Sequence, residues 1–375
     1  MTTTEETTTE DTRPEETAAG EALATRLFET VLAVLDARAV DLGDRLGYYR
    51  ALAEHGPATS PQLAARTGTA ERYVREWLEQ QAVTGILTAA DDPDRPDDAL
   101  ARRFALPPGH VGPLTDVLGP AYVVPLVRFV VAAGRQVDAL AEVHRTGGGV
   151  SWAQHGPAVR EAQAAANRPL FLGPLGRSYL PSIPEVDAAL RRGGRVADVG
   201  CGFGWSSIGI ALAYPDATVD GFDVDEPSVQ AARRNAEEAG VADRVRFTAA
   251  DAATVATAGG YDVVTAFECI HDLPDPVSVL AAMRSLARPE GTVLVVDERV
   301  AERFTAPGDD VERLMYGYSL ACCLADGMSE RPSVATGTVM RPSTLRRYAR
   351  EAGFADVEVL DVDDEVFRFY RLVRG

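Results

Sequence analysis

The sequence predicts an α/β protein in which an open parallel sheet follows a smaller helical domain. The clearest observation is the segment Arg195 to Ser207, where an apolar strand runs into three alternating glycines and then into a helix-forming stretch. Strand and helix patterns alternate after it, as in sheets whose parallel strands are joined by helices. The predicted domains are residues 1–20, a disordered acidic tail; 21–112, a helical and winged-helix dimerisation domain; 113–192, a helical connector; and 193–375, the sheet domain.

The N-terminal part predicts helices followed by a winged helix-turn-helix. Residues 1–20 hold six acids against one arginine, a composition typical of a disordered tail. Apolar periodicity predicts a helix over Glu21 to Val40, and the segment from Asp41 to Tyr49 leads into a second helix. The later elements are a short helix from Ser60 to about Arg66, a helix from Ala70 to Gln81, and a wing formed by Gly85 to Thr88 and Arg103 to Leu106.

Such a module either reads DNA through Ala70 to Gln81 or has been reused for dimerisation. Residues 41–106 contain eleven acids against eight arginines, and the acidic wing loop from Asp91 to Asp98 would repel phosphate. We therefore expect a homodimer formed through the N-terminal domain and no nucleic-acid partner. A transcriptional regulator is the weaker alternative.

Composition narrows the class of protein further. The net charge of −19 argues against an anionic membrane surface as well as against nucleic acid. No apolar run is long enough to span a bilayer, and the first residues do not resemble a signal peptide, so we expect a soluble, cytoplasmic protein with no membrane partner. The four cysteines, Cys201, Cys269, Cys322 and Cys323, lack the spacing of metal ligands. Reduced thiols and no metal site are therefore expected.

The glycine loop predicts a nucleoside cofactor, because glycines permit a tight turn and a close approach of the backbone to a ligand. A dinucleotide fingerprint would need its third glycine where Trp205 stands. About 20 residues later, at the usual interval to a ribose-binding acid, a strand ends at Asp223, whose carboxylate can accept both ribose hydroxyls. Asp225 is interpreted as the N-cap of a helix over Pro227 to Ala239.

The pattern Asp198-x-Gly200-x-Gly202-x-Gly204 resembles the first motif of class I S-adenosylmethionine-dependent methyltransferases. The resemblance implies S-adenosylmethionine as cofactor and a Rossmann-like sheet of seven strands. It also implies that the strand acid helps to orient the methionine part, and that a carboxylate after the third strand, here Asp251, holds the adenine amino group. A solvated loop carboxylate is the alternative for Asp251. The implied cofactor-binding residues are Asp198, Gly200, Cys201, Gly202, Gly204, Asp223, Val224, Asp251, Ala252, Phe267 and Glu268.

Candidate catalytic residues follow the strand Asp262 to Phe267. Methyl transfer to a hydroxyl needs a base of near-neutral pKa, which makes Glu268 and His271 candidates. A winged helix followed by a class I fold resembles the plant-type small-molecule O-methyltransferases, which implies His271 as the base and Asp297 as the carboxylate that orients it. The second carboxylate of that family, before the last helix, is missing because Arg341 stands there. A structural histidine of the turn is the alternative.

Two segments are candidates for the acceptor side. The connector 113–192 is expected to roof the site, and an insertion at 300–340 is either ordinary core or a pocket above the carboxyl ends of the strands. Leu42 to Leu52 and Ala266 to Pro276 resemble signatures of actinobacterial winged-helix methyltransferases. For Trp152 and His155 of the connector, the alternative is ordinary packing within the connector. The candidate acceptor-pocket residues are Trp152, His155, Asn167, Met315, Tyr316 and Cys322.

These observations favour an S-adenosylmethionine-dependent methyltransferase that acts on a small, largely apolar or aromatic metabolite. O-methylation is favoured, and C- or N-methylation remains open. The first alternative is a non-methylating enzyme, a cyclase or decarboxylase that binds the same cofactor, because fold and loop do not fix the chemistry.

Overall fold

The structure is a computed structural model that describes residues 12–255 and 260–375. It divides into two compact units, Met1–Thr115 and Asp116–Gly375. The predicted end of the N-terminal domain, residue 112, lies just before this division.

The first unit begins with one long helix, α1 (Thr12–Arg45). The predicted disordered tail is therefore wrong for residues 12–20, and residues 1–11 lie outside the described part of the chain. Arginine, glutamate and alanine make up most of 13–19 and are strong helix formers. Their helix propensity therefore determines the structure of this segment, although its net charge is typical of a disordered tail. α1 also runs past Val40 and ends before Gly47, whose φ of 71° is the left-handed conformation that glycine adopts easily.

The rest of the first unit has the predicted winged helix-turn-helix pattern. Trp77 packs against Tyr48 and Tyr49, with ring centroids 4.7 and 5.1 Å apart, and forms the centre of this small core. The first wing strand starts at Thr88, later than predicted, because Gly85 turns the chain with a φ of 78°. The elements are α2 (Tyr48–His55), α3 (Ser60–Thr67), α4 (Glu71–Val83), β1 (Thr88–Ala90), β2 (Arg103–Ala105) and α5 (Pro108–Thr115).

The connector is helical, as predicted. Gly147 ends its second helix in the left-handed conformation. A π-helical turn (Leu175–Tyr179) and a 3₁₀ turn (Leu180–Ser182) precede its last helix. Its helices are α6 (Val124–Ala133), α7 (Val137–Thr146), α8 (Trp152–His155), α9 (Pro157–Leu172) and α10 (Pro184–Arg191).

Seven strands of the second unit form one sheet, which confirms the predicted fold class. They are β3 (Arg195–Val199), β4 (Thr218–Asp223), β5 (Val245–Ala249), β6 (Tyr261–Phe267), β7 (Ala287–Glu298), β8 (Asp356–Val359) and β9 (Phe367–Val373). The order is β5-β4-β3-β6-β7-β9-β8, with β9 antiparallel to both neighbours and the other pairs parallel. The strand order reverses between β3 and β6, so ligands are expected at the carboxyl ends of these strands.

Helices cover both faces of this sheet. Alternate strand residues enter two separate hydrophobic clusters, with Val196 and Val263 in one and Ala197 and Val264 in the other, as the two-residue period of a strand requires. Among the described residues, no helix has the length and apolar character needed to cross a membrane. The helices are α11 (Trp205–Ala213), α12 (Glu226–Glu238), α13 (Pro276–Leu286), α14 (Asp310–Tyr318), α15 (Leu324–Gly327) and α16 (Pro342–Glu351).

Candidate active site

The glycine loop joins β3 to α11 at the point where the strand order reverses. Gly200, Gly202 and Gly204 have φ values of 70°, 50° and 78°. A Cβ on Gly204 would lie 2.5 Å from the Phe247 ring, so no larger residue fits there. A Cβ on Gly202 would meet no described atom within 4 Å. The loop is therefore packed on one side and open on the other.

Asp198 supports this loop from beneath and is 1% exposed. It accepts hydrogen bonds from the hydroxyls of Ser206, Ser207 and Thr265 at 2.6, 2.7 and 2.8 Å. Burial raises the pKa of Asp198, and the three hydroxyl donors act in the opposite direction. These bonds tie β3, β6 and the start of α11 together, while a direct contact of Asp198 with the cofactor stays a prediction.

Asp223 ends β4 beside the loop. Its Oδ2 accepts a hydrogen bond from Gly202 N–H at 2.8 Å, and its Oδ1 accepts one from Asp225 N–H at 2.9 Å. Burial raises the pKa of Asp223, and the two backbone donors lower it. Asp225 caps α12 by accepting from Ser228 N–H at 3.0 Å, which confirms the predicted N-cap. Val224 between them is 74% exposed.

The third predicted acid, Asp251, follows β5 at the same edge of the sheet. Its Oδ1 accepts a hydrogen bond from Ala253 N–H at 2.8 Å, and the residue is exposed. Ala252 beside it is buried. Contact with adenine and a solvated loop carboxylate both fit this placement, so the role of Asp251 stays a prediction.

These residues fit an adenosyl cofactor. Each oxygen of Asp223 accepts one backbone bond and keeps a second lone pair, so the carboxylate can still receive ribose hydroxyls. The open side of Gly202 leaves room for the close approach of a ligand to the backbone. The acceptor capacity of Asp223 and the free space at Gly202 are therefore what the predicted cofactor site requires.

Glu268 follows β6 on the other side of the reversal point. It is a non-glycine residue with a φ of 51°, a conformation that side chains rarely adopt and that is often found at functional sites. Its Oε1 is buried and has no hydrogen-bond partner among the described residues. Burial first, and then the negative charge of Glu298, raise the pKa of Glu268 to about 8, whereas His271 and a hydrogen bond from Asn167 lower it. Phe267 packs edge-on against Phe171.

His271 is 2% exposed and surrounded by acids. Its Nδ1 lies 2.9 Å from Asp297 Oδ1 and 3.2 Å from Glu298 Oε2, and its Nε2 lies 3.4 Å from Asp272 Oδ1. Burial alone would lower the pKa of His271, but Asp297, Glu298 and Asp272 raise it well above its usual value. The three carboxyl groups around His271 therefore favour its protonated form, which suits a positioning role better than the role of a base.

Glu298 is a site residue that the sequence analysis missed. β7 runs through Asp297 to Glu298, which brings a second buried carboxylate to His271. The position before α16 cannot supply one, because Arg341 there forms an ion pair with the buried Glu312 at 3.1 Å. The V-V-D-E sequence at the strand end was the available signal.

The structure brings two of the six candidate acceptor residues into one cluster and leaves the other four outside it. Trp152 and Cys322 pack in one apolar cluster with Phe129, Val159 and Ala162, and so join the connector to the insertion. Tyr316 is 39% exposed, and its hydroxyl accepts from Arg341 outside this cluster. The other three candidates lie apart from one another. Asn167 forms a hydrogen bond with Glu268, and Met315 is buried on α14. His155 is buried, and neither of its ring nitrogens has a hydrogen-bond partner among the described residues.

Tyr318 is a second residue that the sequence analysis did not single out. Its ring packs edge-on against Phe129, 5.0 Å between centroids, and its buried hydroxyl has no described partner. Burial, Cys323 and Glu268 raise its pKa to about 12. The hydroxyl therefore lies near Glu268, where a π-helical turn (Ser319–Cys323) follows α14.

No metal site was predicted, yet metal-binding side chains do converge here. Polar atoms of His271, Asp297 and Glu298 lie within 4.8 Å of one another, as do those of His271, Asp272 and Cys323. The hydrogen bond and ion pairs of His271 account for the first convergence without an ion.

Comparison with known proteins places this site in a family. Residues 190–331 match a family model described as a methyltransferase domain, and residues 34–115 match an Rv2258c-like winged HTH domain. The ubiquinone biosynthesis O-methyltransferase of Thiobacillus denitrificans is 31% identical over 184 residues, which cover 48% of this chain and 73% of the relative. The chain belongs to the class I S-adenosylmethionine-dependent methyltransferases. This confirms the predicted family and its cofactor, S-adenosylmethionine.

Other relatives of this methyltransferase extend the comparison. The ubiquinone biosynthesis O-methyltransferase of Methylococcus capsulatus is 33% identical over 164 residues, 43% of this chain, and the chain spans only 63% of that protein's length. The structure of the mitomycin 7-O-methyltransferase MmcR superposes with a TM-score of 0.68 at 23% identity and covers 96% of this chain and 100% of its own. Human N-acetylserotonin methyltransferase superposes with a TM-score of 0.69 at 18% identity, over 94% of this chain and 98% of its own. At these identities the structures show a shared fold alone.

Proposed function

We propose that this methyltransferase transfers a methyl group to an oxygen of a small, largely apolar or aromatic acceptor. The carrying observation is the buried Glu268 Oε1, which has no partner among the described residues and follows the carboxyl end of β6. The apolar cluster of Phe129, Trp152 and Cys322 also contains Tyr318, which lies near Glu268. O-methylation also agrees with the names of the relatives.

Glu268 is the proposed base. Bound S-adenosylmethionine supplies an electrophilic methyl group on a positively charged sulfur. Asn167 orients the Glu268 carboxyl, and its free Oε1 can accept the proton of an acceptor hydroxyl. A carboxylate of raised pKa suits this transfer better than an ordinary one, because efficient general bases have pKa values near the working pH.

His271 is the proposed positioning cation. Asp297 and Glu298 hold its ring and keep it protonated, so its charge lies close to the carboxyl groups of Glu268 and Asp272. This assignment replaces the base role that the plant-type resemblance implied. It retains the predicted contact between His271 and Asp297.

The function is tested by incubating the purified protein with S-adenosylmethionine and a panel of phenols, catechols and hydroxylated polyketide aromatics. Formation of S-adenosylhomocysteine together with an O-methylated product, detected by mass spectrometry, is the expected result. S-adenosylhomocysteine formed with an N- or C-methylated product would overturn the O-methyl assignment. Conversion of an acceptor without S-adenosylhomocysteine would overturn methyl transfer itself.

We further propose that the enzyme is a cytoplasmic homodimer assembled through α1. Apolar side chains of α1 occupy about half of its circumference at 100° per residue, and they are exposed. Leu27, Phe28 and Val31 are 59%, 63% and 53% exposed. An apolar strip of this width is normally covered by another chain. All four cysteines are free thiols, in keeping with a reducing compartment.

Val31→Glu should convert the dimer into a monomer, since it places a charge in the middle of the apolar strip. Size-exclusion chromatography with light scattering measures the mass of the particle. Ala33→Glu adds the same charge to the exposed opposite side of α1 and should leave the dimer intact. A wild-type monomer at micromolar concentration, or dimers in both variants, would rule out this interface.

A further inference from the structure

The hydroxyl of Tyr318 is a buried polar group that the proposed methyl transfer does not use. Its oxygen is shielded from solvent and has no hydrogen-bond partner among the described residues. Other tyrosines of the second unit are bonded. The Tyr214 hydroxyl donates to Asp187 at 2.9 Å, and the Tyr261 hydroxyl donates to Asp220 at 3.0 Å. A buried hydroxyl without a partner is unfavourable unless a ligand supplies one.

A second unpartnered oxygen, Glu268 Oε1, lies in the same neighbourhood. The charge of Glu268 acts on the Tyr318 hydroxyl and contributes to its raised pKa, so the two side chains are near each other. They are not hydrogen-bonded to each other, because neither oxygen has a partner in the part of the chain that the structure describes. Both oxygens are therefore available to a ligand that carries polar groups of its own.

The two oxygens have opposite hydrogen-bonding roles. Burial, Cys323 and Glu268 raise the pKa of Tyr318 to about 12, so its hydroxyl stays protonated and can donate. The ionised carboxyl of Glu268 can only accept. A ligand that satisfies both must therefore offer a hydroxyl hydrogen to Glu268 and an oxygen lone pair to Tyr318.

The surroundings of Tyr318 restrict the kind of oxygen that it can bind. Its ring packs against the apolar cluster that contains Phe129, Trp152 and Cys322, which suits an aromatic ligand. A carboxylate placed at the Tyr318 hydroxyl would also face the negative charge of Glu268. A neutral oxygen that only accepts hydrogen bonds, such as that of a ketone, avoids this repulsion.

We propose that Tyr318 donates a hydrogen bond to a neutral carbonyl oxygen of the acceptor, adjacent to the hydroxyl that is methylated. This inference rests on the proposed O-methyl transfer and names its substrate class, aromatic compounds with a carbonyl ortho to a hydroxyl. In such compounds the hydroxyl hydrogen is otherwise bonded to the neighbouring carbonyl oxygen. A hydrogen bond from Tyr318 competes with that internal bond and leaves the hydroxyl hydrogen available to Glu268 Oε1.

Titration calorimetry on the protein saturated with S-adenosylhomocysteine tests this role. The probes are ortho- and para-hydroxyacetophenone, which have the same atoms but differ in whether the carbonyl is adjacent to the hydroxyl. Wild type should bind the ortho isomer about 10-fold more tightly, the scale of one hydrogen bond to a buried group. Tyr318→Phe should bind the two isomers with affinities within about twofold of each other. ortho-Hydroxybenzoate, with a carboxylate in place of the ketone, should bind wild type more weakly than the ortho ketone.

The melting temperature without acceptor provides a second readout. Tyr318→Phe keeps the ring and removes an unpartnered hydroxyl, so it should not melt below wild type. Tyr214→Phe is the matched control, because the same change there breaks the hydrogen bond to Asp187 just after the end of α11. It should melt lower than wild type and keep the preference for the ortho isomer.

Several outcomes would contradict this assignment. These are equal binding of the two isomers by wild type, binding of neither isomer, tighter binding of ortho-hydroxybenzoate than of the ortho ketone, and an ortho preference that persists in Tyr318→Phe. A lower melting temperature of Tyr318→Phe would show that the hydroxyl already has a partner in the free protein, which also overturns the proposal. O-methylation of simple phenols together with equal binding of the isomers would reject this substrate class and leave the proposed function intact.

Discussion

Glu268→Gln should lower kcat for the methylated acceptor by about 10²- to 10⁴-fold, the usual contribution of a general base. Glutamine keeps the shape of the side chain and the contact with Asn167 but cannot take up the acceptor's proton. Binding of S-adenosylhomocysteine should remain near that of wild type, because the change removes the proton acceptor and not the cofactor loop. Stopped-time assays of product formation, with calorimetry for the cofactor, measure the two effects separately.

The dependence on pH provides a second measurement of the same group. The base acts when ionised, and the pKa of Glu268 is raised to about 8, so kcat/KM should rise with pH and level off above about 8. The rise should be absent in Glu268→Gln. Glu290→Gln changes an exposed acid near the start of β7 and should retain the wild-type profile. If kcat/KM of Glu268→Gln still rises with pH as in wild type, another group is the base.

The raised pKa also has a consequence for stability. A carboxyl whose pKa is higher in the folded state binds more protons there than in the unfolded chain, so its effect on stability becomes less favourable as pH rises. For Glu268 this loss extends from its ordinary value of 4.5 to about 8. The melting temperature of Glu268→Gln should therefore fall less between pH 6 and pH 9 than that of wild type, which calorimetric scans would show.

Asp223→Ala should weaken S-adenosylmethionine binding by about 10²- to 10⁴-fold, because two charge-assisted bonds to the ribose are lost, each of about 1.5–3 kcal/mol. The same change also removes the acceptor of the Gly202 N–H, so the glycine loop loses an anchor. Asp223→Asn keeps an oxygen for that N–H and should lose less affinity. Titration calorimetry measures all three proteins.

Asp220→Ala is the control for this variant, since Asp220 lies on the same strand but bonds Tyr261 and Arg195, away from the strand's carboxyl end. It should bind the cofactor as wild type does even if the melting temperature falls. Unchanged affinity in Asp223→Ala would place the ribose elsewhere. Equal weakening in both variants would point to a general loss of folding.

The sequence predicted those parts of the fold that depend on nearby residues. The glycine loop, the strand that ends at Asp223 and the cap at Asp225 lie within about thirty residues, and their spacing follows from backbone geometry. The winged module was predicted for the same reason, because its helices and turns carry local signals. The comparisons confirm the family that these motifs indicated.

What the sequence did not predict depends on contacts between distant segments. Glu298 and Tyr318 approach the reacting centre because β7 runs through Glu298 and the end of α14 lies near Glu268. The surroundings of His271 depend on Asp297 and Glu298 from a distant strand as well as on its neighbour Asp272, and these acids raise its pKa well above the usual value. Residues 12–20 form a helix because the helix propensity of their side chains outweighs the effect of their net charge.

The connector and the insertion are joined by backbone contacts as well as by side chains. Val150 N–H donates to the Ala325 carbonyl at 2.9 Å, and Trp152 N–H donates to Asp326 Oδ1 at 2.6 Å. A Cβ on Gly149 would lie 2.2 Å from Ser329 N, so the two segments pass too closely for any other residue. If the acceptor pocket lies here as proposed, we expect acceptor preference to depend on both segments. An insertion grafted from another methyltransferase should then need its own partner for residues 147–152.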